Sequence, residues 1–168
     1  LVIVDGVVHP WSPETRSRMK QIKQDLSNDP RYESAIKAMD SPPPSSDEKM
    51  TQLLKDTLAF NFADPHKNIP MFVESQQGTV PSSWALHAHG DANKAHEWHQ
   101  QEQLGNVRAK TLIIAGKQDW NCPAFFSEQM HAGIHDSELV EIDGSGHFPW
   151  IEQPADFFPA VMRFLASK

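Results

Sequence analysis

The sequence contains two short runs, Leu1–Asp5 and Thr111–Ala115, in which apolar side chains occupy nearly every position. Strands that are apolar on both faces are typical of parallel sheets covered on each side by other elements. A third run, Leu139–Ile142, is also rich in aliphatic residues, and helical patterns follow the second and third runs. Because strands and helices alternate from residue 110 onwards, the sequence predicts an α/β fold with right-handed crossovers.

A long stretch between the first two predicted strands, residues 11–105, is mostly helical in pattern. A crossover between parallel strands needs only about a dozen residues, and this stretch is several times longer. We therefore expect an inserted helical cap. The predicted organisation is a core strand in residues 1–10, a helical cap or lid in residues 11–105, and a C-terminal α/β core in residues 106–168.

Capping residues predict where several helices of the cap begin. Ser12 and Asp29 each precede a proline and an amphipathic run, so both are expected N-caps. The segment Ser45–Glu48 fits a Ser-x-x-Glu capping box, whereas the helical pattern weakens beyond Pro70. Two further short helices are expected at Trp84–His89 and Ala92–Gln101.

Proline positions and apolar spacing predict two helices in the C-terminal core. Pro123 is expected in the first turn of one helix, with Phe126 and Met130 on its apolar face. The last helix is expected to begin at Asp156 as N-cap, which would place Pro159 in the first turn. Its predicted apolar face consists of Phe158, Val161, Met162 and Leu165.

Composition excludes several classes of function. Lys and Arg number 15 against 22 Asp and Glu, a net charge of −7, so the chain lacks the basic surface that nucleic-acid binding needs. No apolar run approaches the roughly 18 residues of a membrane span, and no secretory or transit signal is visible. The single cysteine, Cys122, excludes an internal disulfide. We expect a cytoplasmic protein with no nucleic-acid or membrane partner.

Two polar residues follow the last two predicted strands. Asp119 lies in the loop after Thr111–Ala115, and His147 lies in the loop after Leu139–Ile142. Catalytic groups collect at the carboxyl ends of parallel strands, which lie about 4.8 Å apart. A carboxylate that accepts the Nδ1 proton of a histidine leaves Nε2 free to act as a base. We therefore expect Asp119 and His147 to form an acid–base pair.

Residues 107–168 resemble the C-terminal end of an α/β-hydrolase, and within that superfamily they are similar to the proline iminopeptidase-like branch. The resemblance rests on Gly116-x-x-Asp119-Trp120-x-Cys122-Pro123 and on Gly144-Ser145-Gly146-His147-Phe148-Pro149-x-x-Glu152-x-Pro154. It implies the C-terminal part of an α/β-hydrolase sheet, with three parallel strands, helices and an inserted helical cap. It also implies that Asp119 and His147 are the acid and the base of a catalytic triad.

The sequence departs from that family at the nucleophile. The Gly-x-Ser-x-Gly elbow is absent, and Gly144-Ser145-Gly146 is too short to replace it. By family order the nucleophile belongs upstream of Leu1, where the chain opens inside a strand, a sign of processing or truncation. We therefore expect a partner: an N-terminal half of the same fold that carries Gly-x-Ser-x-Gly.

The resemblance implies hydrolysis of a small amide or ester, with an aminopeptidase favoured and no metal or organic cofactor. Esterase, lactonase, C–C bond hydrolase and acyltransferase activities share the triad and remain open, as does a non-catalytic ligand-binding module. Proline iminopeptidases use acidic cap residues to bind a free amino group, and Glu74 and Glu97 are candidates here. Candidate pocket-lining residues are Trp120, Phe148 and Trp150.

Two other patterns have simpler interpretations. Cys122 at a helix start could act as a nucleophile, but a small packing residue is favoured. The pairs His87-x-His89 and His96-x-x-His99 have spacings that can bind zinc on a helix. Because no carboxylate or cysteine completes a known ligand set, we expect solvated or packing histidines.

Overall fold

The computed structural model describes residues 1–8, 12–95 and 100–167. The chain forms two compact units, the first made of Leu1–Pro10, Asn61–Asp64 and His99–Lys168, the second of Trp11–Phe60 and Pro65–Trp98. Within the described ranges, no helix combines the length and the apolar character needed to cross a bilayer. The short segment Asn61–Asp64 thus groups with the first unit, although the chain on either side of it belongs to the second.

A parallel sheet forms the centre of the first unit. Its strands are Val2–Val4 (β1), Thr111–Gly116 (β2) and Ser137–Ile142 (β3), in the order β1-β2-β3. Ile113 pairs with Ile3 on one side and with Leu139 on the other. Every residue of β2 is buried, as expected for an apolar central strand covered on both faces. The predicted α/β fold with three parallel strands is confirmed.

The second unit is helical. Its α-helices are Pro13–Leu26 (α1), Glu33–Met39 (α2), Asp47–Thr57 (α3), Pro65–Ser75 (α4) and Ser83–Ala95 (α5), with 3-10 turns at Pro30–Tyr32 and Leu58–Asn61. Ser12 caps α1 by accepting the N–H of Thr15, and Asp29 caps its 3-10 turn by accepting the N–H of Arg31. Both predicted N-caps are therefore present.

The structure differs in detail from three sequence-based expectations for this unit. The N-cap of α3 is Ser46, which accepts the N–H of Lys49, so the predicted Ser45–Glu48 box is displaced by one residue. This start places both Asp47 and Glu48 in the first turn, where the helix dipole favours carboxylates. Helix α4 continues through Pro70. The expected helix at Trp84–His89 is part of the longer α5.

Within the described residues, the first unit also contains four α-helices, of which the second and the fourth pack on the sheet. They are Gln100–Gln103 (α6), Phe125–Gly133 (α7), Pro149–Glu152 (α8) and Pro154–Ala166 (α9), with a 3-10 turn at Leu104–Asn106. The predicted helix Ala92–Gln101 overlaps α5 and α6, and its residues 96–99 lie outside the described ranges. Phe126 and Met130 of α7 are buried, as predicted. Pro123 lies two residues before α7, whose N-cap is Ala124.

The last helix differs from its predicted register. It begins at Pro154 with Gln153 as N-cap, so Asp156 lies in the first turn and Pro159 lies inside the helix. Phe164 is buried in a core with Leu112, Ile114 and Ile142, and Phe157 and Val161 pack against that core. Of the predicted apolar face, Phe158, Met162 and Leu165 are instead exposed. Two apolar stripes run side by side on α9, and only one of them can face the sheet.

Candidate active site

The loops that follow β2 and β3 meet closely at the carboxyl end of the sheet. Gly116 ends β2, and a Cβ atom on it would collide with the carbonyl oxygens of Ser145 and Gly146. A Cβ on Gly146 would in turn collide with the backbone of Asn61. Gly144 adopts a positive φ of 66°, which side chains disfavour. Glycine at these positions lets the two loops approach each other.

The two predicted residues, Asp119 and His147, lie in contact at this end. Asp119 Oδ2 is 2.7 Å from His147 Nδ1. Asp119 is fully buried, while 26% of the His147 side chain is exposed. Because a carboxylate can only accept, Nδ1 carries the proton. This tautomer leaves Nε2 as the basic nitrogen.

The other oxygen of Asp119 fixes the position of the carboxylate. Asp119 Oδ1 accepts the backbone N–H groups of Asn121 and Cys122, each at 2.8 Å. Such a turn holds the carboxylate plane and satisfies the buried charge. The side chain therefore needs no movement to accept the hydrogen bond that His147 Nδ1 donates.

The His147 loop is held by a glutamate whose role the sequence analysis missed. Glu152 Oε2 accepts the N–H of Gly146 at 2.5 Å, and Glu152 Oε1 accepts the N–H of Ala63 at 3.1 Å. The N–H of His147 donates to the carbonyl oxygen of Asn61 at 2.8 Å. Glu152 belongs to the Glu152-x-Pro154 part of the family-like motif, which could have drawn attention to it. The sequence could not show which backbone groups this buried carboxylate would bind.

The environment of His147 favours its charged form. Burial lowers its pKa, but hydrogen bonding to Asp119 and Cys122 and their charges outweigh burial and raise the pKa to about 10. This pair stabilises the fold fully below pH 6.5, and its contribution is lost as the pH rises through the folded value. The imidazolium that proton transfer to His147 would form is thus well stabilised.

Cys122 lies beside this pair. One donor atom from each of Asp119, Cys122 and His147 lies within 4.8 Å of the other two. Cys122 is half-buried and is not in a disulfide. The thiol of Cys122 is therefore a close neighbour of the Asp119–His147 pair.

A second buried carboxylate, Asp5, lies where β1 ends and was not predicted to matter. Its Oδ1 accepts the N–H of Gly116 at 2.8 Å, and its Oδ2 is buried without a hydrogen-bond partner among the described residues. Its φ is +45°, a strained value for a residue other than glycine. Burial, the largest effect, raises the pKa of Asp5 to about 7, and the charges of Asp119 and Glu152 act in the same direction.

The three aromatic candidates differ in their ring contacts and in their exposure to solvent. The ring centroid of Phe148 lies 5.3 Å from that of His147, edge to face. Trp150 packs against Phe148 with centroids 5.5 Å apart and is 40% exposed. Trp120 is half-buried, one residue after Asp119.

The candidate residues from the predicted cap lie in the second unit or outside the described residues. Glu74 is exposed on α4 in the second unit, and Glu97 lies outside the described residues. His87 Nε2 hydrogen-bonds with the carbonyl oxygen of Pro44 at 2.8 Å, so this ring packs within the helical unit. His96 and His99 also lie outside the described residues.

This arrangement has the geometry of an acid–base pair. The serine in the His147 loop, Ser145, does not fit as a nucleophile. Ser145 is fully buried, and its hydroxyl donates to the carbonyl oxygen of Gly146 at 3.2 Å. A buried hydroxyl turned towards its own backbone is poorly placed to attack a substrate. Among the described residues, Asp119 and His147 are therefore the candidates for acid–base chemistry.

Comparison of the sequence with known proteins gives matches over part of the chain. No family model matches the sequence. AB hydrolase superfamily protein YisY of Bacillus subtilis is 28% identical over 97 residues, which are 58% of this chain and 33% of that protein. Proline iminopeptidase PfmaB of Pestalotiopsis fici is 27% identical over 79 residues, which are 46% of this chain and 28% of that protein.

A solved structure extends the likeness over the whole chain. MGS-M2, an α/β-hydrolase enzyme from a Medee basin deep-sea metagenome library, superimposes with a TM-score of 0.60 at 20% identity. The match covers 99% of this chain and 56% of that one. The chain thus spans about half of the solved structure, and the matched segments span a third or less of the two curated relatives. Its homologues and structural neighbours are α/β-hydrolases, proline iminopeptidases among them, and the chain has the fold of part of an α/β-hydrolase.

Proposed function

We propose that the chain provides the acid and the base of a serine-hydrolase-type acyl transfer to water. The observation that carries the proposal is the 2.7 Å contact between the fully buried Asp119 carboxylate and His147 Nδ1. When His147 is neutral, its Nε2 is the proton acceptor, and Asp119 keeps the ring in the required tautomer. Glu152 and Asn61 support the same ring through the backbone of its loop.

The proposed reaction has two steps. A serine Oγ attacks the substrate carbonyl carbon while its proton passes to His147 Nε2, and His147 returns this proton to the leaving group as the C–N or C–O bond breaks. Water then attacks the acyl ester and gives one proton to Nε2, which passes it to the departing serine oxygen. Asp119 stabilises the imidazolium in both steps.

We propose that the serine comes from an N-terminal portion of the same fold, upstream of Leu1 or on a separate chain. Three observations support this: the sequence lacks Gly-x-Ser-x-Gly, the chain matches about half of MGS-M2, and β1 pairs only with β2 among the described strands. Sheet edges are normally paired or covered. The helical stretch at residues 11–105 is proposed as the cap.

The proposed substrate is a small amide or ester, with a free N-terminal amino acid amide preferred. The similarity to proteins named proline iminopeptidases supports this preference. The exposed carboxylate of Glu74 is a candidate partner for a substrate ammonium group. Proline-naphthylamide and nitrophenyl ester substrates separate an aminopeptidase from an esterase.

Substitution of the pair tests the proposal in the protein that includes the N-terminal portion. We expect Asp119→Asn to lower kcat by about 10⁴-fold, because the amide favours the wrong imidazole tautomer, and His147→Ala to lower it by at least about 10³-fold. Circular dichroism should show that both variants keep the fold. The matched controls are Asp136→Asn and His135→Ala, which change exposed residues and should leave kcat unchanged.

Two outcomes would contradict the proposal. Turnover within a few fold of the unsubstituted protein in Asp119→Asn or His147→Ala would remove the pair from the mechanism. Absence of fluorophosphonate labelling, together with absence of hydrolysis of both substrate classes, would favour a non-catalytic ligand-binding module.

A further inference from the structure

The cluster Asp119, Cys122 and His147 brings three different metal-binding donors together. A carboxylate oxygen, a thiol sulfur and an imidazole nitrogen lie within 4.8 Å of one another. Serine acyl transfer as proposed above requires only the oxygen and the nitrogen. The sulfur therefore has no role in that reaction.

The local backbone fixes the three donors relative to one another. The turn in which Asp119 Oδ1 accepts the N–H of Cys122 sets the distance between carboxylate and thiol. The Asp119–His147 contact sets the distance from carboxylate to imidazole. Since 26% of the His147 side chain is exposed, a small ion can reach the cluster from solvent.

The donor set selects a class of metal. Thiolate and imidazole are ligands for zinc and similar borderline or soft ions, whereas magnesium and calcium prefer oxygen. With Zn–S near 2.3 Å and Zn–N and Zn–O near 2.0–2.1 Å, neighbouring ligands of a tetrahedral zinc lie about 3.5 Å apart. The donor atoms lie no more than 4.8 Å apart. The Asp119 Oδ2–His147 Nδ1 pair, at 2.7 Å, would have to widen by roughly 0.8 Å to reach that ligand spacing.

Charge also matches a divalent cation. A carboxylate, a thiolate and a neutral imidazole together carry two negative charges, which Zn²⁺ neutralises in this partly buried site. Binding would release the thiol proton and any proton on the ligating imidazole nitrogen to solvent. No redox step is involved.

We propose that Asp119, Cys122 and His147 form an inhibitory site for Zn²⁺ and other thiophilic divalent cations. Coordination would occupy His147 and Asp119 and so prevent their use as base and acid. The inhibitory effect rests on the proposed function, whereas the binding site does not. A protein of this kind would be active only at low free zinc.

Cobalt substitution tests binding without any need for activity. Purified protein containing residues 1–168 is titrated with Co²⁺, and we expect a thiolate-to-cobalt charge-transfer band that Zn²⁺ abolishes by displacement. Cys122→Ser should remove the band, because Cys122 is the only cysteine of this chain, and Asp119→Asn should weaken Co²⁺ binding by at least about 10-fold. Asp136→Asn should bind Co²⁺ as the unsubstituted protein does.

Inhibition is tested on the protein that includes the N-terminal portion. Each variant is compared with its own zinc-free activity, and we expect Cys122→Ser to raise the zinc concentration for half inhibition by at least 10-fold. A missing charge-transfer band in protein whose Cys122 reacts with a thiol reagent would overturn the binding site. Equal zinc sensitivity of Cys122→Ser and the unsubstituted protein would overturn the inhibitory role. A band in a protein without hydrolase activity would keep the site and reject the proposed function.

Discussion

Asp5 combines deep burial with a carboxylate that is only partly hydrogen-bonded. Only 4% of it is exposed, one carboxylate oxygen accepts the N–H of Gly116, and the other is buried without a partner among the described residues. An ionised carboxylate in such a position is poorly compensated. Its pKa of about 7, against an ordinary value of 3.8, therefore makes it a source of pH-dependent stability.

We predict that Asp5 makes the fold less stable as the pH rises from about 4 to 7. In this window the unfolded chain has lost the proton while the folded chain still binds it, so the free energy of unfolding falls with pH, by up to about 4 kcal/mol for this residue. Urea unfolding of Asp5→Asn between pH 4 and 8 should show a flatter profile, because asparagine keeps the acceptor for Gly116 and cannot ionise. Asp136→Asn serves as the exposed control; a slope for Asp5→Asn equal to that of the unsubstituted chain would disprove the prediction.

At the scale of elements, Glu152 connects α8 to two separate segments of backbone. It accepts N–H groups from Gly146 in the His147 loop and from Ala63 and Asp64 in the short segment between the parts of the helical unit. Charged acceptors make stronger hydrogen bonds than neutral ones. A single side chain thus holds the backbone of the loop that carries His147.

We predict that Glu152→Ala lowers the free energy of unfolding by about 2–4 kcal/mol, because several N–H groups lose their acceptor. Glu152→Gln, which keeps one acceptor oxygen, should cost less. Chemical denaturation measures both variants, and Glu128→Ala on the exposed face of α7 is the control. If Glu152→Ala were as stable as Glu128→Ala, Glu152 would not support the loop.

The two apolar stripes of α9 lead to a second prediction at this scale. In residues 1–168 alone, Phe164→Ala should lower the free energy of unfolding by about 3–5 kcal/mol, since Phe164 is only 7% exposed. Met162→Ala should cost less than about 0.5 kcal/mol, since Met162 is 65% exposed.

The same pair of variants tests the proposed N-terminal portion. If that portion covers the outer stripe of α9, Met162→Ala should cost at least 1 kcal/mol more in the longer protein than in residues 1–168. An equal effect in both proteins would show that the outer stripe stays in water.

At the scale of the whole molecule, sequence patterns predicted the parts of the fold that depend on short-range order. Thr111–Ala115 is apolar at consecutive positions and became the buried central strand, and the loops after two strands brought Asp119 and His147 together. The register of α9 could not be predicted, because both of its stripes have helical spacing and only the sheet decides which is buried. Helix α4 was missed because Pro70 usually ends a helix.

The site was predictable only in its most chemically distinctive members. A carboxylate and a histidine at the ends of neighbouring strands are a known arrangement for acid–base chemistry, so Asp119 and His147 could be predicted from the sequence. Asp5 and Glu152 are ordinary acidic residues until the fold buries them and presents backbone N–H groups to them. Cys122 was favoured as a packing residue, and its closeness to both members of the pair depends on the turn at Asp119.

The interlocked glycines at Gly116 and Gly146 have a consequence for protein engineering. The loop after β2, the loop after β3 and the segment Asn61–Asp64 touch backbone to backbone, and their positions in the chain are far apart. Replacing one of these three segments alone with its counterpart from a homologous protein would bring backbone atoms into steric conflict. A designer who wished to transplant this acid–base pair would have to move all three as one cassette.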